Sequence, residues 1–116
     1  MTNDSEPIAL RATVIGGQRC ADDFTVIWRR LPIGRIMKSS GVPHNEAQWS
    51  WNCYVYGRPS RADDSGTGAD IDECKAEFKN AWARIRAGLT EADVARAYRY
   101  AASKEALARY DRKRGT

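Results

Sequence analysis

The sequence predicts an α+β fold: a three- to four-stranded antiparallel sheet, one amphipathic helix packed on it, and a second, C-terminal helix. Two observations carry this reading. In the first half of the chain, short segments alternate apolar and polar residues with period 2 and are separated by turns containing Gly or Pro. After residue 70 the period lengthens to 3.6, and a helical stripe replaces the strand faces.

The elements follow in order. Residues 1–7, Met-Thr-Asn-Asp-Ser-Glu-Pro, read as a flexible polar leader. Ile8 to Ile15 reads as a strand closed by Gly16-Gly17, a turn dipeptide that tolerates positive φ. A second strand is predicted over 23–30, where Phe24, Val26 and Trp28 alternate with Thr25, Ile27 and Arg29. Leu31-Pro32-Ile33-Gly34 reads as a tight connection, because Pro cannot donate to a ladder. A short third strand is predicted over 35–39, and a loop with Gly41, Pro43 and Asn45 leads to the fourth.

That fourth strand, over 49–56, is the most informative segment. Trp49, Trp51, Cys53 and Val55 fall on one face, and Ser50, Asn52, Tyr54 and Tyr56 on the other. The first set is bulky and apolar, so it should turn toward the helix. Residues 57–69 read as a polar connector.

A helix is predicted over 70–88, with Ile71, Cys74, Phe78, Trp82, Ile85 and Leu89 on one stripe and Ala81 beside it. Asp70 and Glu73 have the spacing of a capping box, and Gly88 marks the end. Thr90 caps a helix over 90–110, with Glu91 and Asp93 in the first turn and a narrow apolar side of Val94, Ala97, Tyr98 and Ala101. Residues 111–116 read as a second flexible tail, so the predicted domain spans 8–110.

A chain of 116 residues with 42% hydrophobic content, four Trp, five Tyr and two Phe has the material for one modest core, which argues against wholesale disorder. The formal charge is +4. Residues 31–62 and 90–116 each carry +3, whereas 63–89 carries −2. Anionic partners are thereby permitted, although net charge does not define function. Cys20, Cys53 and Cys74 form no C-x-x-C pair, so zinc-ribbon and thioredoxin-type motifs are excluded. Cys53 and Cys74 fall on apolar faces and read as small hydrophobes suited to a reducing cytosol. No apolar run approaches the roughly 20 residues of a membrane span, so a cytoplasmic protein without membrane contact is expected.

Catalytic and metal constellations are sparse. The lone histidine, His44, lies in a Gly/Pro loop beside Glu46 and reads as an exposed loop residue. With no second histidine, the zinc, haem and facial-triad sites built on several histidines are excluded. Aligned as a calcium loop from Asp63, the acidic cluster places Gly68 at the sixth position but Cys74 where a bidentate Glu is required. Started at Asp64, it places Lys75 there, so Asp63 and Asp64 read as a solvated linker. Gly66-Thr67-Gly68 lacks the Lys of a phosphate loop. The expectation is a non-enzyme with no catalytic residue, metal or cofactor.

The positive signal is the second sheet face. Asn52, Tyr54 and Tyr56 would share it with Arg29, Arg35 and Met37. Basic groups interleaved with aromatics suit phosphate neutralisation and base stacking. Two plainer readings compete: cross-strand pairs stabilising an exposed face, or the last helix covering it. Arg109, Arg112, Lys113 and Arg114 form a basic helix end that suits the negative dipole pole and could add phosphate contacts.

Gly34-Arg35-Ile36, the Trp49-x-Trp51 strand, and the helix carrying Asp72-Glu73, Ala76, Phe78 and Ala81-Trp82 resemble short hypothetical bacterial proteins. In those, a W-x-W strand precedes a D-E-x-x-x-x-F-x-x-x-W helix. The resemblance covers roughly residues 24–88 and implies no active site. The order of three strands then a helix also resembles AP2-like and phage-integrase arm-type DNA-binding domains, in which the sheet reads DNA; that likeness is one of topology.

The leading expectation is therefore an uncharacterised small binding or interaction module, with an unknown protein partner or self-association. The alternative is a nucleic-acid-binding domain using Arg29, Arg35, Asn52, Tyr54 and Tyr56. A third reading is an enzyme centred on His44 and Glu46.

Overall fold

A computed structural model describes residues 8–39, 43 and 48–114, the side chains of 106–114 excepted. The leader 1–7, the His44–Glu46 pair and the side chains of Arg109, Arg112, Lys113 and Arg114 lie outside the described residues.

The architecture is α+β. Strands β1 (Ile8–Ile15), β2 (Gln18–Trp28), β3 (Leu31–Lys38), β4 (Trp49–Cys53) and β5 (Ser65–Gly68) precede helices α1 (Ile71–Ala87) and α2 (Glu91–Arg114). The strands form one five-stranded antiparallel meander in the order β1-β2-β3-β4-β5. This is one strand more than the sequence predicts, because β5 occupies part of the expected polar connector. Among the described residues, no helix is long and apolar enough to cross a membrane.

Gly16-Gly17 makes a two-residue turn, with φ of 60° and 82°, so Ile15 pairs directly with Gln18 and β2 starts well before residue 23. Positive φ at both central residues matches the twist of the flanking strands.

The second turn corrects the sequence reading. It falls at Arg29-Arg30, with φ of 47° and 68°, so β2 stops at Trp28. Leu31-Pro32-Ile33-Gly34 is not a connection but the start of β3. Pro32 is tolerated because the pairing shifts there: Val26 faces Gly34, Ile27 faces Pro32, and Ile33 is skipped on the β2 side, its carbonyl accepting the Tyr54 N–H at 2.8 Å. The shift leaves Leu31 and Ile33 buried.

The core lies between one sheet face and α1. Val26, Trp28, Ile36, Trp51, Cys53 and Val55 cluster with Cys74, Phe78, Ala81, Trp82 and Ile85. Trp28 packs on Trp82 with ring centroids 5.1 Å apart, and Trp51 meets Phe78 edge-on at 6.0 Å. Such pairs add about 0.5–1.5 kcal/mol beyond the area they bury. The indole N–H of Trp51 donates to Glu77 Oε1 at 2.9 Å, which satisfies its polar atom at the core's edge.

β5 explains itself only in three dimensions. A Cβ on Gly66 would stand 2.9 Å from Trp51 Nε1, and one on Gly68 would stand 2.9 Å from Cys74 Sγ. Gly66 thus lets the Trp51 indole lie on the strand, and Gly68 leaves room for the start of α1 at Cys74.

Helix starts follow the predicted chemistry. Asp70 Oδ1 accepts the Glu73 N–H at 2.9 Å, while Glu73 Oε1 accepts the N–H of Ala69, one residue before the cap, at 2.8 Å. At α2, Thr90 Oγ1 accepts from the Asp93 N–H at 3.0 Å, and Asp93 Oδ2 accepts from the Thr90 N–H at 2.9 Å. Each cap contributes about 1 kcal/mol. α2 runs to Arg114, past the expected end at 110. It seats against β3 with Ala97 fully buried and Val94, Tyr98 and Ala101 partly so. The Tyr98 hydroxyl donates to the Arg29 carbonyl at 2.5 Å, which ties α2 to the β2–β3 turn.

Candidate anion-binding cleft

The second sheet face gathers some, not all, of the residues assigned to it: β4 stops at Cys53, short of the predicted end at 56, so Tyr54 and Tyr56 lie past the strand. Arg35 and Asn52 are cross-strand partners, and Asn52 Oδ1 accepts the Arg35 backbone N–H at 3.2 Å. The Arg35 guanidinium is already engaged: Nε donates to Asp23 Oδ1 at 3.0 Å, and Nη2 pairs with Asp23 Oδ2. Thr13 also donates to Asp23 Oδ1, at 2.8 Å. The Arg35 bond, with help from Thr13, holds the Asp23 carboxyl below the usual range against the opposing effect of burial.

Tyr54 and Tyr56 pair with centroids 5.6 Å apart, and Tyr56 stacks on Tyr100 of α2 at 5.0 Å. Both Tyr54 and Tyr56 are half-buried rather than open. Burial, then the neighbouring Tyr56, pushes the Tyr54 hydroxyl up to about 12. Arg29 stands apart: it sits in the β2–β3 turn with its guanidinium 4.6 Å from the centroid of Trp28, a core residue of the α1 face.

The β4–β5 connection holds a feature that contradicts the sequence reading. Asp64 does not lie in a solvated linker; it is 2% exposed, at the end of a 3₁₀ turn over Ala62–Asp64. Its Oδ2 accepts from Arg58 Nη1 at 2.9 Å and from the Arg61 backbone N–H at 2.8 Å. Its Oδ1 accepts from Arg84 Nη1 at 3.2 Å, and Arg84 Nη2 donates to the Asp63 carbonyl at 2.8 Å. Burial alone would push this carboxyl up. The bonds from Arg58, Arg61 and Arg84 outweigh it and hold Asp64 below the usual range. A buried carboxylate needs such partners, since an unpaired one would be strongly unfavourable.

Next to this knot is a half-open cavity of about 460 Å³, between the 57–63 connection, the C-terminal end of α1 and the first turns of α2. Arg58, Arg61, Arg84 and Arg96 line it, with Tyr56 at one side. Asp63 and Asp93 also line it, Asp63 Oδ2 standing 3.8 Å from Arg84 Nη1, so with Asp64 the carboxylates offset all but one of these guanidinium charges. Asp93 is occupied by the Thr90 cap and by Arg96 Nη1 at 3.3 Å. The Arg61 guanidinium is exposed and has no acidic partner among the described residues. Planar guanidinium forks in a concave site suit bidentate contact with phosphate or carboxylate oxygens.

Cys53 and Cys74 are buried as expected; burial pushes their thiols up to about 12 and about 11. Among the described residues, no group of three or more His, Cys, Asp or Glu is placed to hold a metal ion. No family model, curated protein or solved structure matches the chain.

Sequence reasoning missed Arg58, Asp64, Arg84 and Arg96. Its one pointer was the +3 charge over residues 31–62, which includes Arg58 and Arg61.

Proposed function

We propose that the protein is a small non-enzymatic binding module whose cleft takes an anionic group, phosphate or carboxylate. The observation that carries this reading is the double anchoring of Asp64. One buried carboxylate fixes the Arg58 and Arg84 guanidiniums in the wall of an open cavity. Arg61 and Arg96 complete the rim. Guanidiniums held in place before the ligand arrives lose less entropy on binding than free surface side chains.

The alternative, nucleic-acid contact through Arg29, Arg35, Asn52, Tyr54 and Tyr56, draws support from the Tyr54–Tyr56–Tyr100 stack. The neutralised Arg35 weakens its phosphate component.

Thermal unfolding with and without inorganic pyrophosphate at low salt tests the leading reading. Ligand at 100 times its dissociation constant adds about 2.7 kcal/mol to stability, a rise of several degrees in Tm. The rise should shrink in Arg61→Ala and Arg96→Ala. Equal rises in both variants and the parent chain would locate binding elsewhere, and no rise would remove the reading.

A further inference from the structure

The cleft does not end at Arg96. That residue also borders a shallow, open surface formed with Arg99, Tyr100, Ser103 and Lys104 along α2. Tyr100 is 50% exposed although one face of its ring is stacked on Tyr56, with planes inclined by 26°. Its other face is therefore open. Lys104 Nζ stands 5.7 Å from the Tyr56 ring centroid, so cations flank the stack as well as the cleft.

Arginines set to grip an oxyanion thus stand beside an aromatic plate with one unused face. A simple phosphate or carboxylate would leave that face idle. A ligand with a planar ring a short linker away from a phosphate would use both. We infer that the cleft and the tyrosine stack together hold a nucleotide unit with an unpaired base, its phosphate among Arg61 and Arg96 and its base on Tyr100.

This inference rests on the cleft being an anion site. A base paired in a duplex has no free face to offer, so single strands or free nucleotides are preferred over duplex. Aromatic plates accept any base, so little sequence preference is expected.

Fluorescence anisotropy of a short labelled poly(dT) strand, competed with unlabelled single strand, duplex, AMP and pyrophosphate, provides the test. Tyr100→Ala should weaken the strand roughly tenfold or more, while pyrophosphate binding stays unchanged. Tyr100→Phe keeps the ring and should keep the affinity, which leaves the inference testable if Tyr100→Ala disturbs α2. Arg61→Ala should weaken both ligands. Competition by AMP as well as by strand assigns a nucleotide pocket; competition by strand alone assigns a single-strand groove. Both outcomes support the inference.

Duplex competing as well as single strand would overturn it, as would an undiminished affinity in Tyr100→Ala. Pyrophosphate binding without any nucleotide binding would overturn it and leave the cleft reading intact. Loss of pyrophosphate binding altogether would remove the cleft reading itself.

Discussion

Arg84 of α1 reaches Asp64 of the β4–β5 connection at 3.2 Å and, with its bond to the Asp63 carbonyl, fastens an irregular segment onto the helix that builds the core. The same carboxylate holds Arg58 at 2.9 Å. Stability and site geometry are thus joined at one residue.

Replacing that residue separates the two. Asp64→Asn removes the charge that compensates two guanidiniums and should cost about 2–4 kcal/mol, toward the lower end because Arg58 and Arg84 are partly open to water. Urea unfolding measures this. A cost below about 0.5 kcal/mol would mean that Asp64 is dispensable to the fold.

Acid should act through the same group and through Asp23. Both carboxyls sit below the 3.8 of an unperturbed aspartate. Their contribution is therefore fully present above that value and is lost as pH falls through the lower folded values. Thermal midpoints measured from about pH 7 down to about pH 3 should fall mainly over the last unit or so. The Asp23→Asn/Asp64→Asn double variant should start lower and fall less.

The β2–β3 turn stores strain that can be relieved. Arg30 has a φ of 68°, a region costing a non-glycine residue about 1–2 kcal/mol. Arg30→Gly should raise stability by about 0.5–1 kcal/mol, the gain being trimmed by glycine's larger unfolded-state entropy. A measured loss would show that the Arg30 side chain contributes something its exposure does not suggest.

Sequence patterning reached the parts of the fold that rest on periodicity and caps. The Trp51/Cys53/Val55 face, the α1 stripe from Cys74 to Ile85, and the Asp70 and Thr90 caps all follow from spacing of residue types. It failed where a residue type has two physical uses. Gly66 and Gly68 read as a loop, yet they make a strand so that Trp51 and Cys74 can approach. Pro32 reads as a breaker, yet a bulge accommodates it. Arg29-Arg30 carries none of the usual hairpin chemistry, so the turn was displaced onto Leu31–Gly34. The cleft was illegible for another reason. Asp64 reads as solvated until Arg58 and Arg84, six and twenty residues away, are brought to it.

Thiol reactivity checks the packing that positions the site. Cys53 and Cys74 are about 1% and 0% exposed, with their thiols pushed up by burial, whereas Cys20 is partly exposed. Ellman's reagent at mildly alkaline pH should modify one thiol quickly in the native protein and all three in urea. Two or more fast thiols in the native state would place Cys53 or Cys74 outside the core.

Mapping backbone amide shifts while pyrophosphate is titrated into isotope-labelled protein addresses the cleft most directly. The account predicts progressive shifts at Gly57, Arg58, Arg61, Gly88 and Arg96, with Arg35 and Asn52 unmoved. Shifts centred on Arg35 and Asn52, or none at low salt, would contradict it.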